Sequence, residues 1–310
     1  MQEPRVHYRI IMINCPVHGL LVVDKPPGLT SREVVNRVQR RFPPGTPVGH
    51  TGTLDPIATG VLVVCLGKAT RLAEFVQRLE KTYRAGLRLG AQSDTDDAEG
   101  VIQSCPVERP PVRDEIERSL QGFLGEIEQV PPAFSAAKVS GQRAYALARR
   151  GQQVSLEPRR VRIHAIDVLR YEYPRLDIEV HCGQGTYIRS LARDLGERLG
   201  CGALVETLRR TRVGPFTLSN ALSVDIDPAA ALSRLLPVAA AVSALPRLEL
   251  GGVELNRLRH GGSVSLSDAP ALGEAAAEVA VFDAAGDLAV IAVLERQTRV
   301  LRPVKVLSCA

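Results

Sequence analysis

One aspartate lies inside a glycine-rich turn directly before an apolar segment, in the run Gly49-His50-Thr51-Gly52-Thr53-Leu54-Asp55-Pro56-Ile57-Ala58-Thr59-Gly60-Val61-Leu62. Three glycines open backbone φ values closed to other residues, and Pro56 restricts Asp55 to an extended or turn conformation. A carboxylate on so sharply shaped a loop is the expected centre of chemistry; the alternative is that Asp55 only caps the next segment, as Asp before Pro often does. A hydrolase using His50 and Asp55 is disfavoured, because no second metal ligand or nucleophile lies nearby in sequence. A second glycine-marked stretch, Gly183-Gln184-Gly185-Thr186-Tyr187-Ile188-Arg189, spaces Tyr187 and Arg189 two apart. In an extended segment both would point to one side. Between these stretches, residues 130–152 interleave prolines, bases and the aromatics Phe134 and Tyr145, and include Arg143, Arg149 and Arg150. Such a segment suits a nucleic-acid backbone, with cations on phosphates and rings on bases, or else is a solvated surface loop. Asp94-Thr95-Asp96-Asp97-Ala98-Glu99-Gly100 lacks the spacing and closing glutamate of an EF-hand loop, so a solvated turn is expected there.

These stretches need elements to hold them. Residues 19–25 read as a short buried strand ending at Pro26-Pro27-Gly28, and Thr30 or Ser31 caps a helix carrying Val34, Val35 and Val38. Residues 61–66 are apolar throughout, as in a strand buried on both faces, and 67–70 turn into a helix bearing Leu72, Phe75, Val76 and Leu79. Residues 81–90 alternate like a half-buried strand, 113–121 form an amphipathic helix, and 161–169 with 175–182 alternate like an antiparallel pair around a turn at 171–174. Beyond Leu245-Pro246 an alanine-rich helical stretch gives way to short strands, such as 247–250 and 279–283, separated by glycine turns. A small all-β module of 246–310 fits, and a barrel would protect its edges.

The chain of 310 residues, 45% hydrophobic, is long enough for two domains with sizeable cores. Its 39 Lys and Arg against 34 Asp and Glu give +5, a moderate basic bias that fits a polyanionic partner. The six cysteines form no CxxC pair or Cys/His cluster, so neither a zinc site nor a disulfide framework is indicated, and a reducing cytoplasm is the expected compartment. No apolar run approaches the ~20 residues that cross a bilayer. Residues 1–18 look unlike the patterned sequence after them and read as an N-terminal extension in which Met12 is a candidate start.

Four stretches taken together carry a resemblance: Leu21-Val22-Val23-Asp24-Lys25-Pro26 with Gly28 and Thr30-Ser31, Gly49 to Leu62, Lys81-Thr82-Tyr83, and Gly185-Thr186-Tyr187-Ile188-Arg189. From about residue 19 to 220 the chain closely resembles the bacterial TruB tRNA pseudouridine synthases. Leu255 and Leu258 with His260-Gly261-Gly262, then Val281-Phe282-Asp283 with Gly286, look like a PUA barrel, a weaker match. The resemblance implies an α+β fold: a catalytic domain over 19–245 with a mixed, mainly antiparallel sheet and flanking helices, a mobile thumb near 130–152, and a PUA-like domain over 246–310. It implies isomerisation of uridine to pseudouridine at position 55 in the TΨC loop of tRNA. The base leaves its ribose, turns and rejoins through carbon 5, with no cofactor, metal, obligatory protein partner or membrane, in a monomer.

The resemblance also distributes roles. Asp55 would add to the sugar or the base, or stabilise the separated state, and must be ionised to do so. Arg189 would hold that carboxylate ionised and aimed. Tyr83 would stack on the uracil and offer its phenol as an acid or base. His50 would fill the space left by the extruded base, unless it is simply bonded to its own turn. Tyr187 and Leu208 would line the substrate pocket, although Leu208 reads almost as well as a core leucine. Lys25 falls beside the cleft, more as structure than as an RNA contact, and Arg143, Arg149 and Arg150 are candidate phosphate contacts. Two other readings stay open: a guide-RNA-dependent synthase, which shares the catalytic motif, and a non-catalytic tRNA-binding or folding chaperone.

Overall fold

The computed structural model describes residues 17–135, 138, 139, 142–144, 147, 150, 156–266, 278–295 and 297–307; side chains at 138, 139, 142 and 143 are not among them. The fold is α+β. A ten-stranded mixed sheet runs Leu222–Ser223, Gly19–Lys25, Thr59–Leu66, Ala203–Val213, Lys81–Leu89, Arg175–Cys182, Arg159–Glu172, Gly125–Gln129. Val48–His50 joins it along Thr59–Leu66, and Phe216–Thr217 along Ala203–Val213. Most pairs are antiparallel; Gly19–Lys25 with Leu222–Ser223 and Thr59–Leu66 with Ala203–Val213 are parallel.

The unbroken apolar run at 61–66 behaves as expected. Leu62, Val64 and Leu66 enter one core with Leu21 and Val23, whereas Val61, Val63 and Cys65 enter another with Leu20 and Val22. The first core is roofed by the helices Ser31–Gln39, Arg113–Gln121 and Ile188–Arg198. Phe75 and Val76 from the short Ala73–Arg78 helix fill the second, together with Phe282, Ile291 and Leu307 from the C-terminal module. The helix expected after 67 begins as a 3-10 turn over Gly67–Leu72. Lys81–Leu89 is half-buried as its alternation requires: Tyr83, Ala85, Leu87 and Leu89 face the first core, and Arg84 is exposed on the other side.

The choice between Thr30 and Ser31 resolves into two jobs. Thr30 is the N-cap, its hydroxyl accepting from the Glu33 amide at 3.2 Å while Glu33 accepts from the Thr30 amide at 2.7 Å. Ser31 is thereby released to bond the Asp55 loop. A second sheet begins at Arg247 and runs Arg247–Glu249, Glu278–Phe282, Leu288–Glu295, Val300–Val306, Val264–Ser265, with Leu255 and Leu258 of the Gly252–Arg259 helix in its core. Among the described residues no helix is long and apolar enough to cross a membrane.

Candidate active site

The Asp55 loop leaves the Val48–His50 strand and returns as Thr59–Leu66, and it is pinned from three sides. From the first helix, the Ser31 hydroxyl donates to the Leu54 carbonyl at 2.9 Å and accepts from the Leu54 amide at 2.8 Å. From below, the Lys25 ammonium donates to the carbonyls of Pro26 at 2.9 Å and Pro56 at 3.2 Å. From the Ala203–Val213 strand, Arg210 donates through Nε to the Val61 carbonyl at 2.8 Å and through Nη2 to the Gly52 carbonyl at 3.0 Å. Lys25 is 0% exposed, and burial pushes its ammonium down to about 8 against the opposing charge of Asp55. Its position favours the structural reading and leaves no ammonium for an RNA phosphate.

Close packing of loop and strand explains one of the glycines. Gly60 has φ +100°, and a Cβ there would stand 2.2 Å from the Arg210 carbonyl oxygen. Gly28 also has positive φ, at +79°, but nothing lies within 4 Å of its missing Cβ. Gly60→Ala is therefore expected to lose about 2–4 kcal/mol of stability. Gly28→Ala should lose only the backbone term of about 1 kcal/mol. Denaturant unfolding of the two variants checks this, and equal losses would count against the packing argument.

Arg189 is the electrostatic centre. The extended segment that would set Tyr187 and Arg189 on one side stops at Tyr187, the N-cap of the Ile188–Arg198 helix, so Arg189 reaches the site from a first helical turn. The helix start is held by buried Gln129, which accepts from the Tyr187 amide at 2.8 Å and donates to its carbonyl at 3.0 Å. Arg189 is buried. Its Nη2 lies 3.0 Å from Asp55 Oδ2 and donates to the Phe134 carbonyl at 3.0 Å, and its Nη1 lies 3.3 Å from Asp97 Oδ2 and donates to the Thr95 carbonyl at 2.9 Å.

The acidic turn is solvated only in part: Asp94, Ala98 and Glu99 are exposed as expected, but Asp97 is not. Val205 pairs with it through backbone bonds to Asp96 and Ala98, which tucks Asp97 to 2% exposure behind Arg189, while Asp96 pairs with Arg193 at 3.0 Å. One planar guanidinium between two carboxylates, with the Thr95 hydroxyl at 2.6 Å and the Glu99 amide at 3.0 Å donating to the other oxygen of Asp97, offsets the cost of burying that aspartate. Asp55 keeps 32% of its side chain accessible from the cavity. Burial raises its carboxyl above the usual range, Arg189 pulls it back, and Asp97 pushes it up again.

A cavity of about 770 Å³ opens over Asp55. His50, Tyr83, Tyr187, Arg189 and Leu208 all line it, so the structure brings together every expected pocket residue. Leu208 is also buried in the first core, which satisfies both of its readings. Tyr83 is buried, and burial raises its phenol, with Arg210 beside it opposing, so a neutral hydroxyl faces the cavity. Arg150 is exposed and away from the cavity; the side chain of Arg143 and the whole of Arg149 lie outside the described residues. Asp97 and Arg210 carry no sequence signature of their own, although period-two spacing of Leu208 and Arg210 on one strand marks the latter. Among the described residues no group of three or more His, Cys, Asp or Glu could hold a metal ion.

Known proteins share this sequence and fold. Residues 40–188 match the profile of the TruB family pseudouridylate synthase N-terminal domain, and 189–232 match the tRNA pseudouridylate synthase B C-terminal domain. The tRNA pseudouridine synthase B of Chromohalobacter salexigens is 44% identical over 82% of this chain and 84% of its own. That of Xanthomonas campestris is 41% identical over 96% and 94%. Among solved structures, an H/ACA ribonucleoprotein bound to a substrate RNA containing 2'-deoxyuridine superposes with a TM-score of 0.70 at 25% identity, covering 94% of this chain and 85% of that one. A Cbf5–Nop10–Gar1 complex gives 0.69 at 27%, with the same coverage. The chain belongs to the TruB family of pseudouridylate synthases.

Proposed function

We propose that this enzyme isomerises the uridine at position 55 in the TΨC loop of tRNA, taking the base out of its stack and acting on it through Asp55, as a stand-alone monomer in the cytoplasm. The observation that carries this reading is the charge of the cavity. Among the described residues its wall holds six Lys or Arg side chains, Arg32, Lys81, Arg159, Arg160, Arg189 and Arg210, against one carboxylate, Asp55. Such a wall attracts a phosphate backbone, and a single carboxylate in it is there for chemistry, since binding alone would be better served without it.

Within that cavity the roles follow from position. Extruding a stacked base costs a few kcal/mol. Tyr83 and Tyr187 offer ring faces to an extruded uracil, Leu208 an apolar wall, and His50 a flat ring on the same loop as Asp55. The ionised Asp55 oxygen attacks or stabilises the reacting centre while the bond from ribose carbon 1' to nitrogen 1 breaks. A bond from carbon 1' to carbon 5 then forms, any bond to Asp55 breaks, and the proton on carbon 5 leaves while nitrogen 1 takes one up, so that composition is unchanged. Tyr83 exchanges the sugar proton through its hydroxyl.

The deciding experiment treats unmodified tRNA with the purified chain alone and maps pseudouridine by carbodiimide labelling and primer extension. A single stop adjacent to position 55 is expected. A stop that appears only when a guide RNA is added would replace this reading with the guide-dependent one, and binding with no stop at all would favour the chaperone.

A further inference from the structure

Two buried cations face the cavity without a counter-charge. Lys81 opens its strand two residues before Tyr83, on the same face, and lines the cavity at 7% exposure. Its ammonium donates to the Gln77 carbonyl, which leaves further N–H donors. Arg210 is 3% exposed and uses Nε and Nη2 on the loop carbonyls. Its Nη1 lies 3.6 Å from where a Gly52 Cβ would stand, so any longer side chain at 52 would crowd that edge of the guanidinium. Among the described residues no carboxylate is within ion-pair distance of either group, in contrast to Arg189, which holds two. Burial and then Arg210 itself push the Lys81 ammonium down to about 8.

Two desolvated cations that repel each other persist beside a cavity where an anion completes them. Gln77, Thr51 and Gly52, which share this part of the wall, supply no negative charge. We propose that Lys81 and Arg210 together bind one phosphodiester of the RNA strand that carries the target uridine, adjacent to the extruded nucleotide. This rests on the RNA-modifying reading of the site. The competing role for Lys81 is purely structural, as a cap on the Gln77 carbonyl at the end of the Ala73–Arg78 helix.

The test measures affinity for a T-arm hairpin in the Asp55→Asn background, with a hairpin series in which each phosphodiester flanking the target uridine is made neutral as a methylphosphonate. Lys81→Gln keeps a donor for the Gln77 carbonyl and removes the charge. It is expected to weaken binding about tenfold and to reduce the slope of log K against log salt by about 0.7. One methylphosphonate should weaken the Lys81 protein by a similar factor and leave Lys81→Gln unaffected. Lys81→Arg should retain both affinity and response. The proposal is overturned if every methylphosphonate weakens both proteins equally, or if Lys81→Gln lowers the melting temperature with affinity and salt slope unchanged. Conversion of the hairpin by the Asp55 enzyme is scored separately: loss of conversion with the phosphate coupling intact removes the functional reading alone, and failure of the hairpin to bind removes both.

Discussion

Asp55→Asn is expected to reduce release of tritium from 5-tritiated uridine in T-arm RNA by at least about 10⁴-fold while leaving RNA affinity unchanged or slightly improved. The amide is nearly isosteric and can still accept from Arg189 Nη2, now 3.0 Å from Asp55 Oδ2, so the cavity keeps its shape and loses the one carboxylate that lines it among the described residues. Two further readouts follow from the direction of the Asp55 shift. Because burial raises its carboxyl and the proposed mechanism uses the ionised form, the acid limb of kcat/KM should lie above the ordinary aspartate value of about 3.9. The stability effect has the opposite sign from the usual salt-bridged aspartate. A carboxyl whose folded pKa exceeds its unfolded one stabilises the fold below the unfolded pKa, and that contribution is lost as pH rises through the folded pKa. At neutral pH the ionised Asp55 therefore strains the fold, and Asp55→Asn should melt at a higher temperature than the parent protein. Turnover within tenfold of the parent would sink the assignment; a lower melting temperature would show that Arg189 outweighs burial.

How much of this was legible in the sequence depended on whether the signal was local. Residues 61–66 announced a doubly buried strand because every side chain is apolar, and the alternation at 81–89 showed which side Tyr83 faces. The glycine-rich run around Asp55 marked a shaped loop, but not what shapes it. Ser31, Lys25 and Arg210 lie 24, 30 and 155 positions from Asp55 along the chain and meet its loop only through the sheet order. Asp97 was misread for the same reason. In isolation Asp94-Thr95-Asp96-Asp97 is a polar turn that belongs in water. The backbone pairing of that turn with Val205, from a strand about a hundred residues later, buries Asp97, and Arg189 on one of its oxygens, with the Thr95 hydroxyl and the Glu99 amide on the other, makes that burial tolerable. Tyr187 and Arg189 do reach one cavity, though through the start of a helix and not through the alternation that an extended segment would give.

That dependence of two carboxylates on one guanidinium leads to a pair of variants with opposite signatures. Arg189→Lys keeps the charge but replaces a planar fork by a single ammonium, which cannot serve Asp55, Asp97, Thr95 and Phe134 together. The Asp55 carboxyl then loses part of what pulls it down, so the acid limb of kcat/KM should move to higher pH, with a loss of about 10²–10³-fold at neutral pH. Asp97→Asn removes the neighbour that pushes Asp55 up, so its acid limb should move to lower pH even though turnover falls because Arg189 is held less firmly. A role for Asp97 in folding alone would lower the melting temperature in both variants and leave both limbs where they are. Removing the cation outright, as Arg189→Met, strands two carboxylates, one of them fully desolvated, and should cost about 3–5 kcal/mol in denaturant unfolding at neutral pH. That loss should shrink on acidification, since protonating Asp55, whose carboxyl burial already raises, relieves part of the uncompensated charge. A deficit that stays constant from neutral to acid pH would mean that Arg189 acts through packing and its bonds to carbonyls, and that the two carboxylates are not what it is there to hold.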